Sequence, residues 1–88
     1  MREPKRTGQF KKDYKLMIKR RKDMSKIDMA ITILIKGGNL PSEYKEHNLS
    51  GDWSGWLECH IEPDWLMIYA YSDTRVTFER TGTHSDLF

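Results

Sequence analysis

The sequence predicts an α+β domain. A small twisted antiparallel sheet, a three-strand meander with room for an N-terminal edge strand, is covered on one face by an N-terminal helical hairpin. Three observations lead there. Apolar residues recur at helical spacing through the first 36 positions, whereas three short runs from Trp56 onward are rich in β-branched and aromatic residues. The links between those later runs are too short for anything but antiparallel neighbours. At 88 residues, 38% hydrophobic and 32% charged, the chain can fill one small core, so residues 1–88 read as a single domain.

Taken in order, Arg2–Arg6 is compatible with a strand, and Pro4 confines it to an edge. Phe10, Tyr14, Met17, Ile18 and Arg21 then mark one face of a helix, with Lys11, Lys12, Lys15, Lys19 and Lys22 largely on the exposed side. Asp23-Met24-Ser25 interrupts it, and Ser25 with Asp28 resembles a capping box for a second helix. That helix presents Ile27, Ala30, Ile31, Leu34 and Ile35 and stops at Lys36-Gly37-Gly38. Residues 39–54 read as loop, punctuated by Pro41 and Gly51. Trp56–Glu62 is the first strand of the meander, ended by Pro63. Trp65–Tyr71, the most apolar, is central, and Ser72-Asp73-Thr74 turns into Arg75–Thr81. The sheet face away from the helices is expected to be free to bind. Val76, Phe78 and Arg80 share a parity, so core and site roles compete on the last strand.

Charge narrows the partners. Residues 1–36 hold twelve Lys/Arg against four Asp/Glu, and residues 37–88 hold three against nine, so a net charge of +2 conceals +8 and −6. A basic half of this kind points to a polyanion. No apolar run approaches the ~20 residues of a membrane span, and the basic N-terminus lacks the apolar core of a secretory signal. Cys59 is alone, which excludes an internal disulfide and a cysteine-built zinc site. A cytoplasmic protein is expected.

The chemistry concentrates near the end of the chain, in His60-Ile-Glu-Pro-Asp64-Trp65 and Glu79-Arg80-Thr-Gly-Thr-His84-Ser-Asp-Leu-Phe88. Histidine titrates near neutrality and arginine grips phosphate oxygens in a fixed fork, so the set suits proton transfer beside a phosphate. RNA cleaves itself when its 2′-OH is deprotonated and attacks the adjacent phosphorus. A base, an acid at the departing 5′-oxygen and a positive charge on the transition state suffice. His60 and Asp64 read as an orienting pair; which histidine is base and which acid stays open. His47, His60, Asp64 and His84 match no compact ligand motif, so neither metal nor cofactor is expected.

The strings His47-Asn-Leu-Ser-Gly51-Asp-Trp53, Glu58-Cys-His60-Ile-Glu-Pro-Asp64-Trp65 and Phe78-Glu-Arg80-Thr-Gly82-Thr-His84-Ser-Asp-Leu-Phe88 resemble the YafQ branch of the RelE/ParE toxin superfamily, over nearly the whole chain. The resemblance implies a twisted antiparallel sheet packed by two N-terminal helices. It also implies a toxin of a type II toxin–antitoxin pair, a ribosome-dependent endoribonuclease that cuts mRNA in the decoding site. His84 would be the principal acid/base and Arg80 the clamp on the scissile phosphate, with His47, His60 and Asp64 as further catalytic residues. Trp65 and Phe88 match substrate-side aromatic positions, Phe88 closing the terminus over the site. Lys11, Lys12 and Lys15 would hold ribosomal RNA while the sheet face receives mRNA, and a cognate antitoxin would mask the toxin. The sequence departs from the pattern at Leu57, where relatives generally carry Arg. The alternatives are a non-catalytic RNA-binding module and a gyrase-poisoning ParE-like toxin on the same fold. Neither needs the His/Asp/Arg set.

Overall fold

A computed structural model describes all 88 residues, and its order is β1 (Glu3–Arg6), α1 (Gly8–Lys19), α2 (Met24–Ile35), β2 (His47–Asn48), β3 (Leu57–Glu62), β4 (Trp65–Tyr71), β5 (Arg75–Gly82) and α3 (His84–Leu87). The five strands form one sheet in the order β1-β5-β4-β3-β2. The meander is antiparallel as expected, with Trp65–Tyr71 at its centre. The sheet as a whole is mixed, because β1 lies parallel to β5, from Glu3 opposite Arg75 to Arg6 opposite Phe78. Parallel pairing needs a crossover, and the helical hairpin begins that crossover directly after β1. The loop region contains two short 3-10 turns and the two-residue strand β2, which pairs His47 with Glu58 and Asn48 with Leu57.

The helices bury Phe10, Met17, Ile27, Ala30 and Leu34 against Cys59, Trp65, Met67, Tyr69, Val76 and Phe78 of the sheet. Burying a side chain of this size contributes roughly 1.5–3 kcal/mol, so this layer supplies most of the folding drive. Two helix details depart from the sequence reading. The cap of α2 is Asp23, whose carboxylate accepts from the Ser25 backbone N–H at 3.1 Å, while Asp28 accepts from the Tyr14 hydroxyl at 2.6 Å. On α1 the buried stripe is Phe10, Asp13 and Met17, with Ile18 and Arg21 exposed. A buried aspartate displaced the apolar stripe, for a reason that lies in β5.

Nor is the far sheet face bare. Leu66 and Ile68 project there and are covered by Leu87 of α3 and by Leu49, Trp53 and Trp56 from the preceding loop. Apolar residues on both faces of a central strand require both to be covered. What remains open on that face is the polar margin, and the functional residues collect at it.

Candidate active site

Residues directly opposite one another on neighbouring strands share a face, so the register lays out the site. One row across the sheet runs Glu58, Ile68, Arg80; the next runs His60, Leu66, Gly82. His47 lies opposite Glu58 from β2, and His84 follows Gly82 by two residues. β3 alternates Leu57 and Cys59 toward the helices and Glu58 and His60 away, until the register shift after His60 sets Glu62 opposite Trp65, where it accepts from Lys22 and Lys26. Leu57 packs with the helix-side core, so the departure from the family pattern falls on the face opposite the histidines. Arg80 reaches the site face although Val76 and Phe78 do not. A bulge at Glu79 sets Phe78 opposite Tyr69 and Arg80 opposite Ile68, breaking the alternation.

The three histidines form a line. The His60 ring lies 6.2 Å from that of His47 on one side and 6.2 Å from that of His84 on the other. Asp64 accepts from the backbone N–H of His84 at 2.9 Å and sits 2.5 Å from His84 Nδ1. The expected pairing of Asp64 with His60 is therefore corrected: the β3–β4 turn carries Asp64 past the strand end and toward α3. Those contacts, the backbone N–H first and the imidazole second, hold the Asp64 carboxyl below the usual carboxylate range. With Nδ1 committed to Asp64, Nε2 of His84 is the nitrogen presented to solvent. On the other side of His60, the buried Glu58 places Oε1 3.2 Å from His47 Nε2 and 3.9 Å from His60 Nε2. Glu58 was not singled out from the sequence; its alternation with His60 on one strand was the available signal.

Arg80 is fixed from behind. Its Nε donates to Asp13 Oδ2 at 2.7 Å and its Nη2 lies 3.3 Å from Asp13 Oδ1. Asp13 also accepts from the Thr81 backbone N–H at 3.2 Å and from Gln9 at 2.9 Å. β1 ends opposite Phe78, so the edge of β5 beyond it has no strand partner, and the α1 carboxylate takes the place of one. This is why α1 buries an aspartate. Nη1 of Arg80 keeps no protein partner and is free for a phosphate oxygen.

The terminus is ordered by the same helix. Thr83 and Asp86 form a reciprocal capping box on α3, and Arg20 grips Asp86 with two bonds of 2.6 and 2.9 Å. A Cβ on Gly82 would come within 2.9 Å of that carboxylate, so the close approach requires glycine. The Thr-x-x-Asp spacing at Thr83–Asp86 was a legible signal for this helix. Arg20, and then the Thr83 N–H, hold the Asp86 carboxyl well below its ordinary value. A depressed folded-state pKa stabilises the fold above the unfolded value of about 4, and that stability is lost as pH falls below it. Thermal unfolding followed from pH 6 downward is expected to show a steeper fall for the native chain than for Asp86→Asn. Equal slopes would remove Asp86 from the account.

The remaining expected residues are placed as follows. Trp65 is fully buried and donates its indole N–H to Thr81 Oγ1 at 3.0 Å, so it supports the site from beneath and offers no face to a base. Phe88 is 61% exposed, and its backbone N–H donates to the His84 carbonyl at 2.8 Å, which holds the end of the chain beside α3. Lys11 and Lys15 line a groove between the two helices with Arg6, Tyr14 and Ile31, away from the histidines. Lys12 lies on the same i, i+4, i+8 ridge as Arg20, the side of α1 that meets α3.

Comparison with known proteins gives one consistent result. Residues 2–88 match the family described as the bacterial toxin of type II toxin–antitoxin systems, YafQ. The mRNA interferase toxin YafQ of Escherichia coli (strain K12) is 49% identical over 83 residues, 93% of this chain and 90% of the relative. YafQ in the E. coli DinJ–YafQ toxin–antitoxin complex superposes with a TM-score of 0.92 at 48% identity, covering 99% of this chain and 97% of that one. A metal-bound toxin from Helicobacter pylori superposes with a TM-score of 0.90 at 30% identity, each chain covered in full.

Proposed function

Because the chain belongs to the YafQ family of type II toxins, we propose that its histidine line is the catalytic centre of a ribosome-dependent, metal-independent mRNA endoribonuclease. The protein is a toxin of a toxin–antitoxin pair and an mRNA interferase, and its partners include an antitoxin. The observation that carries the catalytic reading is the His84–Asp64 pair set one ring separation from His60, beside Arg80.

The chemistry follows from those positions. The 2′-OH of the nucleotide before the cut loses its proton to one imidazole and attacks the adjacent phosphorus in line. The bond to the 5′-oxygen breaks, and the second imidazole protonates it, leaving a 2′,3′-cyclic phosphate and a 5′-OH. Two imidazoles 6.2 Å apart can flank one phosphodiester, with His84 and His60 dividing the two proton transfers. Asp64 holds the His84 ring in one tautomer and orientation. Arg80, aimed by Asp13, offers Nη1 to the charge that grows on the phosphoryl oxygens. Each proton transfer supplies about 10²–10⁴-fold and a fixed charge donor about 10²–10³-fold.

This site is shallow and sits at a sheet margin, so it has little means of bending a flexible mRNA into in-line geometry. The ribosome, which holds mRNA in a defined path, supplies that orientation. The lysines of α1 meet ribosomal RNA phosphates, contacts that position without reading sequence. The test is primer extension on mRNA incubated with the native chain at constant free Mg²⁺, either programmed on ribosomes or free, with and without a chelator selective for transition metals over Mg²⁺. Discrete cuts with ribosomes and few without are expected, unchanged by the chelator. Equal cutting of free mRNA would remove the ribosome from the mechanism, and loss of cutting with the selective chelator would make it a transition-metal enzyme.

A further inference from the structure

We infer that a groove beside His60, between the first half of α2 and the free edge of β3, is a base-reading subsite for the mRNA nucleotide on the His60 side of the cut. Its place beside the cut rests on the catalytic reading above; its capacity to hold a nucleobase does not.

β2 pairs only with Leu57 and Glu58, so the edge of β3 from His60 onward has no strand beside it. Between that edge, the 3-10 turn Ser42–Tyr44 and the start of α2 lies a cavity of about 580 Å³, within the size range of small-molecule sites and ample for one nucleotide. His60 lines this cavity, and its ring also stands 6.2 Å from those of His47 and His84. The cavity is therefore continuous with the histidine line. An RNA strand whose phosphate lies between His84 and His60 carries its next nucleotide past His60 and into it.

The lining suits a base. Tyr44 and Ile61 are half-buried and pack on the helix-side core, while Met29 lines the same space 60% exposed. An aromatic ring and a polarisable thioether open to solvent give a surface on which an unstacked base can rest. Polar contacts to its edge come from the rim. There Lys26 and Glu62 are committed to one another at 2.8 Å, whereas Glu43 and Lys45 have no ion-pair partner. A carboxylate accepts from the exocyclic amine of adenine, cytosine or guanine and repels the two carbonyls of uracil; lysine donates to ring nitrogens or to phosphate.

The rim is shaped before RNA arrives. Lys45 holds φ +51°, a left-handed conformation uncommon for a residue with a side chain. Its N–H donates to the Ser42 carbonyl at 3.0 Å, and its own carbonyl accepts from His47 Nδ1 at 3.1 Å. Glu46 accepts from the hydroxyl of the buried Tyr69. The rim is thus tied to the sheet and to the histidine line at once, which couples base binding to the geometry of the cut. Strand polarity adds a consequence. The attacking 2′-OH belongs to the nucleotide 5′ of the cut and the departing oxygen to the one 3′ of it. A cavity that reads the 5′ nucleotide makes His60 the base, and one that reads the 3′ nucleotide makes it the acid.

Two measurements test this. Ribosomal cleavage is mapped on mRNAs carrying each of the four bases at the positions flanking the cut, with the native chain, Met29→Ala and Glu43→Ala. Both side chains are exposed, and circular dichroism confirms that the variants fold. Glu43→Ala is expected to relax discrimination against uracil roughly fivefold to tenfold at one flank, and Met29→Ala to slow cutting whichever base stands there. In parallel, the Met29 methyl resonance is followed by NMR as 2′-O-methyl trinucleotides, which cannot be cut, are added. Larger shifts with adenosine or cytidine trinucleotides than with uridine are expected, and Glu43→Ala should level them. Unchanged base preference at both flanks in Glu43→Ala, or a Met29 resonance that no trinucleotide moves, overturns the subsite and leaves the groove to a protein partner. A native chain whose Met29 responds in this way but which never cuts mRNA keeps the subsite and fails the catalytic reading.

Discussion

Replacing His84 by alanine is expected to lower ribosomal mRNA cleavage by about 10²–10⁴-fold while leaving the fold intact. That span equals about 3–5.5 kcal/mol of transition-state stabilisation, far more than the side chain contributes to folding. The imidazole is 55% exposed and its ring contacts are with Asp64 and His60, so truncation removes almost no packing. Thermal unfolding of the variant should shift by only a few degrees. Asp64→Asn should lose less activity, since its amide oxygen still accepts one of the two bonds from His84 but no longer favours one ring orientation. Rates on defined ribosome complexes measure both. A His84→Ala chain keeping more than a tenth of native activity would move proton transfer to His60 and His47.

Asp13→Ala should give the second large effect, this time on stability and activity together. Its carboxylate is buried, grips Arg80 and satisfies the backbone N–H of the fully buried Thr81 at the unpaired edge of β5. Removing one partner of a buried ion pair costs about 3–5 kcal/mol, but Arg80 is 23% exposed and can rehydrate. The orphaned Thr81 N–H adds about 1–3 kcal/mol. A net loss of about 2–4 kcal/mol is expected, which lowers Tm by roughly 10 °C or more in a domain of this size. Cleavage measured well below the unfolding temperature should fall too, because Arg80 loses its aim. Asp13→Asn separates the two effects: it retains an acceptor for Thr81, so stability should recover more than activity does. A Tm for Asp13→Ala within about 3 °C of native would show that the carboxylate does not hold this edge.

Periodicity and turn chemistry were enough to place the helices, the meander and its central strand. Each rests on local physics: apolar residues at helical spacing, Gly37 with φ +87° just beyond α2, Pro63 after β3. The residue types of the site were legible for the same reason, since His84, His60, Asp64 and Arg80 carry their chemistry wherever they are placed. Pairings were not legible. Asp64 is four residues from His60 and twenty from His84, yet it bonds His84, because a strand end and a turn point a side chain along the fold's axis and not along the chain. Trp65 matched a substrate position but lies in the core, since parity on β4 assigns it to the helix side. The parallel docking of β1 and the carboxylate of Asp13 completing an open edge are agreements between segments more than sixty residues apart, and the bulge that turns Arg80 outward is set only when β5 pairs with β4. Sequence alone determined the elements and the chemistry available to them, because both depend on each residue and its near neighbours. Which groups meet was decided by tertiary structure, because strand register and the satisfaction of buried polar groups are set only when the sheet and its helices close on one another.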